Sequence, residues 1–241
     1  MSYFETNYLK KTNSCVTPTK NSMRLSQNAY NFMSKFYNCD INNIIKVEDS
    51  TLYVVDSEYK SIDRKYRPHR FNGIFSERVS NEEVYERAVE SQVSKLLQGY
   101  NSTIFTYGIT GSGKTYTVFG GCAREQDKGV CYLAYEHLLA RKQEMERTPG
   151  CQVYLGFSFF EIYNENVRDL LSPEPIMQTK SLSVIEDNKG NTQIQDLIEK
   201  QINNANEAYQ LLSQGCSKRA LASTNSNLYS SRSHALQQLT V

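Results

Sequence analysis

Eight consecutive residues carry the most specific chemistry in this chain. Gly108 to Thr115 reads G-I-T-G-S-G-K-T, which satisfies the pattern G-x-x-x-x-G-K-[ST]. These residue types suit the wrapping of a backbone around a phosphate chain. Gly108, Gly111 and Gly113 allow the loop to curl so that its N–H groups, those of Ile109, Thr110 and Ser112 included, point inward at anionic oxygens. Lys114 supplies a point charge for the β- and γ-phosphates, and the Thr115 hydroxyl is a ligand for Mg²⁺. The competing reading is a chance match in a glycine-rich turn. Against it stands the local context, a strand-like S-T-I-F-T-Y (Ser102–Tyr107) in front and a predicted helix behind. The motif needs that context, and the helix adds its positive N-terminal end.

A second polar cluster, N-S-N-L-Y-S-S-R-S-H-A, runs from Asn225 to Ala235. Phosphoryl transfer needs positioning and charge neutralisation more than a strong base. The hydroxyls of Ser230 and Ser231, the guanidinium of Arg232 and the amide of Asn227 suit that task. Read alone, the same stretch is a polar loop with a solvated arginine. Glu161, Tyr163 and Asn164 read as strand-end and turn residues, and His69, His137 and His234 as structural.

The elements that must position these residues alternate in type. Ile44–Asp56 reads as two short strands turning at Glu48–Ser50, Tyr59–Arg70 as a basic loop containing Pro68, and Phe71–Phe75 as a short strand. A helix is bounded by a capping box at Ser80 and Glu83 and by a terminal Gly99. Val130–Arg147 is an amphipathic helix, Val153–Tyr163 a long apolar strand and Val167–Leu171 a short helix stopped by Pro173. Leu182–Leu197 reads as a hairpin around Asn188–Gly190. Asn204 and Glu207 open a helix that is expected to end at Gly215, and Ala235–Val241 reads as a strand. Residues 1–42 read as a polar N-terminal arm, loosely ordered or disordered, or else carrying one helix around Leu25–Phe36. The order implies an α/β protein with a central, mostly parallel or mixed sheet flanked by helices.

Composition narrows the setting. The 241 residues carry 27 Lys+Arg against 26 Asp+Glu, so no general attraction to nucleic acid or to an anionic membrane is expected. No run approaches the length of a membrane-spanning helix, and no heptad pattern predicts a coiled coil. Six scattered cysteines without a C-x-x-C pair, in a chain with no apolar leader, fit a reducing intracellular setting with free thiols.

Three blocks together resemble the motor domain of the kinesins: Y-N-S-T-I-F-T-Y-G-I-T-G-S-G-K-T-Y-T-V (Tyr100–Val118), F-F-E-I-Y-N-E-N-V-R-D-L-L (Phe159–Leu171) and Asn225–Ala235. They occur in that family's order and at about its spacing, from roughly Asn43 to Val241. The pairing of T-Y-T-V with S-R-S-H-A-L-Q-Q is similar to the class-eight kinesins. The resemblance implies a P-loop NTPase fold, present here as a partial motor domain over 43–241. It also implies ATP and Mg²⁺ as cofactors, microtubules as partner, and a cytoplasmic, cytoskeletal location.

Gly108–Thr115 would then hold the triphosphate, and Tyr116 would stack near the adenine. Asn227 and Ser230 would face the γ-phosphate and the attacking water, Ser231 would approach Mg²⁺, and Arg232 would latch to a second switch. Two features of the family are not found. No R-x-R-P motif precedes Ile44, although K-Y-R-P at Lys65–Pro68 imitates it, and the D-x-A-G-x-E motif of the second switch is absent up to Val241. The expectation is therefore a microtubule motor ATPase represented by its N-terminal portion, with slow hydrolysis of its own. The alternative is a non-catalytic nucleotide-binding or microtubule-adaptor remnant. The hairpin Leu182–Leu197, whose one base is Lys189, would be a secondary tubulin contact.

Overall fold

A computed structural model describes residues 2–10, 20–24, 45–55, 66–121, 128–188, 190–224 and 232–241. The chain divides into two compact units, one of residues 1–120 with 128–134, the other of 121–127 with 135–241.

In the first unit, strands β1 (Ser2–Lys10) and β2 (Lys20–Arg24) lie inside the segment expected as a polar arm. Alternation of aromatic and β-branched residues in S-Y-F-E-T-N-Y-L-K is the strand signal that overall polarity concealed. The helix expected over Leu25–Phe36 lies outside the described residues. Strands β3 (Ile45–Glu48) and β4 (Thr51–Val55) form the expected hairpin, turning at Asp49 with φ 50°. The basic loop is corrected in part, because β5 (Tyr66–Arg70) is a strand antiparallel to β4. Pro68 is tolerated because β5 is the edge of this three-stranded sheet, where a missing N–H breaks no inner ladder.

After β6 (Gly73–Phe75), helix α1 (Asn81–Val84) passes through one π-helical turn (Tyr85–Val89) into α2 (Glu90–Leu96). Ser80 caps it by accepting from the Glu83 N–H, and Gly99, at φ 83°, follows its end. Strand β7 (Tyr100–Tyr107) pairs along its length with β1, from Tyr3 opposite Tyr107 to Lys10 opposite Tyr100. The sheet order is β6-β2-β1-β7, and β2–β6 is the one parallel pair among the described strands. Helix α3 (Lys114–Phe119) follows β7 across the glycine loop.

The second unit is built on β8 (Gly156–Tyr163), whose first six residues are all buried. Helix α4 (Val130–Met145), which opens in the first unit, supplies Tyr135 and Leu138 to this core. Tyr135 meets Phe157 edge-on, ring centres 5.6 Å apart, and Phe157 meets Phe159 the same way at 6.5 Å.

The short helix expected after β8 is instead strand β9 (Asn166–Asp169). Asn164 and Glu165 both have positive φ, 49° and 61°, the geometry of a tight two-residue hairpin turn, so the chain folds straight back on β8. Buried Asp169 then fixes the exit: its carboxylate accepts from the N–H groups of Leu171 at 2.7 Å and Ile198 at 2.9 Å. Strands β10 (Val184–Glu186) and β11 (Thr192–Ile194) form the expected hairpin, and β12 (Lys200–Gln201) joins β8 beside β9.

Helix α5 (Ala205–Thr224) starts on the expected box: Asn204 accepts from the Glu207 N–H at 3.0 Å, and Glu207 accepts from the Asn203 N–H at 2.8 Å. It runs through Gly215 rather than stopping there. A Cβ at that position would collide with the Phe159 ring, so the glycine serves close packing of α5 on β8 instead of a cap. Strand β13 (Ser233–Thr240) lies antiparallel to β8 on the side opposite β9 and β12. No helix among the described residues is long and apolar enough to cross a membrane.

Candidate nucleotide-binding site

The phosphate-type loop leaves β7 at Tyr107 and enters α3 at Lys114. Gly111 and Gly113 have φ of 80° and 88°, left-handed conformations in which a side chain would be strained. A Cβ at Gly111 would meet nothing within 4 Å, so the loop is open on that side. Ser112 is buried, and its N–H closes the turn on the Ile109 carbonyl at 3.2 Å. Gly108 is half-buried, whereas Ile109, Thr110, Thr115 and Tyr116 are exposed.

Lys114 folds back over the loop. Its Nζ donates to the carbonyls of Gly108 and Ile109, both at 2.8 Å. Partial burial holds its ammonium below the ordinary lysine range. The charge thus rests on two neutral carbonyls, partners that an anion exceeds in strength.

The loop is braced from outside the motif by Asn81, a buried residue of α1. Its Nδ2 donates to the Lys128 carbonyl at 2.8 Å and to the Tyr116 carbonyl at 3.3 Å. Sequence reading passed over Asn81, although a polar residue opening an apolar helix face was its available signal.

The second cluster is described only in part. Asn227, Ser230 and Ser231 lie outside the described residues. Arg232 is exposed, directly before β13, and belongs to the second unit, whereas the loop belongs to the first. Of the expected tubulin hairpin, Val184 and Ile185 are exposed and Lys189 lies outside the described residues. Of the imitation motif, Tyr66–Pro68 fall on exposed β5, and Lys65 lies outside the described residues. Glu161, read from sequence as a strand-end residue, is fully buried at 0% side-chain exposure beside Arg219. The signal was a lone carboxylate within the apolar run F-S-F-F-E-I-Y, a place where charge requires a partner.

A strand, a glycine loop with a lysine at its mouth, and a following helix within a mixed α/β architecture define a phosphate-loop nucleotide-binding fold. The Kinesin motor domain family matches residues 20–241, and the chain belongs to that family. The match starts at β2, ahead of the boundary near Asn43 read from the motifs. Kinesin-like protein 6 of Schizosaccharomyces pombe is 36% identical over 196 residues, covering 80% of this chain and 24% of the relative. Kinesin-like protein KIN-5C of Arabidopsis thaliana is 38% identical over 194 residues, covering 76% of this chain and 19% of the relative. The chain thus spans about a quarter or less of these relatives. A solved fast kinesin superimposes with a TM-score of 0.73 at 24% identity, over 90% of this chain and 58% of that one, a likeness of fold.

Proposed function

We propose that this chain is the nucleotide-binding portion of a microtubule motor ATPase, with ATP and Mg²⁺ as cofactors and the microtubule cytoskeleton as its place of action. The observation that carries the reading is Lys114, whose ammonium closes over a left-handed glycine loop onto two carbonyls of that loop. Opening of that contact would free the charge and the inward N–H groups for a triphosphate. The residues fit the group: the cradle is open at Gly111 and Thr115 is exposed at the start of α3. Bound Mg²⁺ would neutralise phosphate charge, with Thr115 and Ser231 as its ligands.

Tyr116, 45% exposed and immediately after the loop, is available to an adenine ring. Asn227 and Ser230 are assigned to the γ-phosphate and the attacking water, and Arg232 to the latch between switches. The hairpin of β10 and β11, with exposed Val184 and Ile185, is a secondary surface for tubulin. Family membership and the relatives' shared name support the motor reading.

Titration of the chain with a fluorescent ATP analogue tests this. Replacing Lys114 by Ala removes a charge-assisted contact of roughly 1.5–3 kcal/mol, so affinity should fall about tenfold or more. Equal affinity for the two proteins would overturn the assignment.

A further inference from the structure

Three of the five prolines follow a hydroxyl residue: Thr17–Pro18, Thr148–Pro149 and Ser172–Pro173. A hydroxyl before proline suits kinases that read proline, because the ring disfavours the helical region for the residue in front and leaves it extended. Thr17 lies outside the described residues. The other two pairs both belong to the second unit and differ in their surroundings.

Ser172 is tethered. It is half-buried between buried Leu171 and Ile176, its Oγ accepts from the Glu174 N–H at 3.2 Å, and its carbonyl accepts from Lys218 Nζ. Thr148 lies in a stretch, residues 146–150, that is exposed throughout. The Cys151 N–H closes on the Thr148 carbonyl at 3.1 Å, and Gly150 has φ 82°. Proline in second place and a left-handed glycine in third make this a type II turn. A Cβ on Gly150 would meet nothing within 4 Å, so the turn is open on that side.

The turn follows directly on the end of α4, which carries a clamp. Glu146 accepts from Lys142 Nζ at 2.5 Å and from the Val153 N–H at 3.1 Å, while Lys142 also donates to the Val153 carbonyl. One ion pair thus holds both backbone groups of Val153, the buried residue that leads into β8. These contacts, Lys142 first and the Val153 N–H second, hold the Glu146 carboxyl below its ordinary range.

We propose that Thr148 is a phosphorylation site for a proline-directed protein kinase, and that its phosphate loosens the clamp between α4 and Val153. The Thr148 hydroxyl oxygen attacks the γ-phosphorus of ATP held by that kinase. The bond from this phosphorus to the oxygen bridging the β-phosphate breaks, ADP leaves, and the hydroxyl proton passes to the kinase's base. The product carries a charge of roughly −1.5 to −2. It stands at the negative end of the α4 dipole, two and four residues after the carboxylates of Glu146 and Glu144. Arg147, adjacent and exposed, offsets part of that charge, whereas Arg141 pairs with Glu144 and Lys142 with Glu146. Loosening of the last turn relieves the remaining repulsion, and the clamp is built on that turn.

The folded 241-residue chain, incubated with ATP and a purified proline-directed kinase of the mitogen-activated class, tests the site by mass-spectrometric mapping. Phosphate should appear on Thr148. Thr148→Val and Pro149→Ala should each lose it, and Ser172→Ala should keep it. Phosphate on Ser172 or Thr17 with Thr148 unmodified, or no phosphate at all, would overturn the site on the wild-type protein alone.

Amide hydrogen exchange of the modified and unmodified chain tests the consequence. A peptide of residues 142–153 should exchange about threefold faster or more when Thr148 is phosphorylated, with the β10–β11 hairpin unchanged. The difference should shrink as salt is raised, since the repulsion lies between exposed charges. Glu146→Gln weakens the clamp beforehand, so phosphorylation should add little to its exchange. Equal exchange before and after phosphorylation, or a difference that salt does not alter, would overturn the electrostatic loosening.

Discussion

Gly215 of α5 lies so close to Phe159 of β8 that a Cβ on the glycine would collide with Cδ1 and Cε1 of the ring. This approach seats α5 on the central strand and brings Arg219, one helical turn further on, within reach of Glu161.

Gly215→Ala should therefore destabilise the protein. In an exposed helix interior the change would gain about 1 kcal/mol from propensity. Here overpacking against a buried ring costs about 1–3 kcal/mol, and helix backbone cannot swing away as the end of a flexible side chain can. Urea unfolding should show a lower midpoint at an unchanged slope. A higher midpoint would mean that the ring moves freely and that α5 is not seated by this contact.

Asn81→Ala should weaken both stability and nucleotide binding. It removes the donor shared by the carbonyls of Lys128 and Tyr116, one of them within the first turn of α3. Leaving these part-buried acceptors without that amide costs about 1–3 kcal/mol. Thermal melting and nucleotide titration together check it. A loss of stability with wild-type affinity would show that bracing α3 does not matter to the loop.

Nucleotide affinity should decline at alkaline pH earlier than an ordinary lysine would make it. Burial lowers the Lys114 value in the free chain, and phosphate prefers its charged form. Affinity is thus full below the free-chain value and is lost as pH rises through it, while bound phosphate raises the value. Lys114→Arg, which does not titrate in this range, should bind less tightly and lose the alkaline decline. Titrations across the alkaline range that give parallel curves for both proteins would assign the decline to another group.

Strand β7 should drive self-association at high concentration. It ends its sheet with β1 as its one ladder partner among the described residues, and its outward positions include Phe105 and Tyr107, the latter 68% exposed. An apolar edge of this kind is a template for another strand. Size-exclusion chromatography over a concentration series should show oligomers that Phe105→Lys reduces. A sharp monomer peak for wild type at every concentration would count against it.

The nucleotide loop was legible in the sequence because its chemistry is local. Seven residues from Gly108 to Lys114 and the strand before them specify turn, charge and direction without help from distant parts of the chain. The capping boxes at Ser80 and Asn204 were legible for the same reason: each bond spans three residues. The long apolar run of β8 likewise announced a central strand. What tertiary structure decided were the positions where local signals conflict or are incomplete. Val167–Leu171 carries helix-compatible residues, yet two left-handed residues before it fold it onto β8 as a strand. Pro68 reads as a loop residue until an edge position removes the penalty of its missing N–H. Gly215 reads as a stop until Phe159 is beside it. Glu161 reads as a strand-end charge until Arg219, 58 residues away, is brought against it. In each case the deciding partner is remote in sequence, and packing, which acts through space, selects among conformations that propensity leaves close in energy.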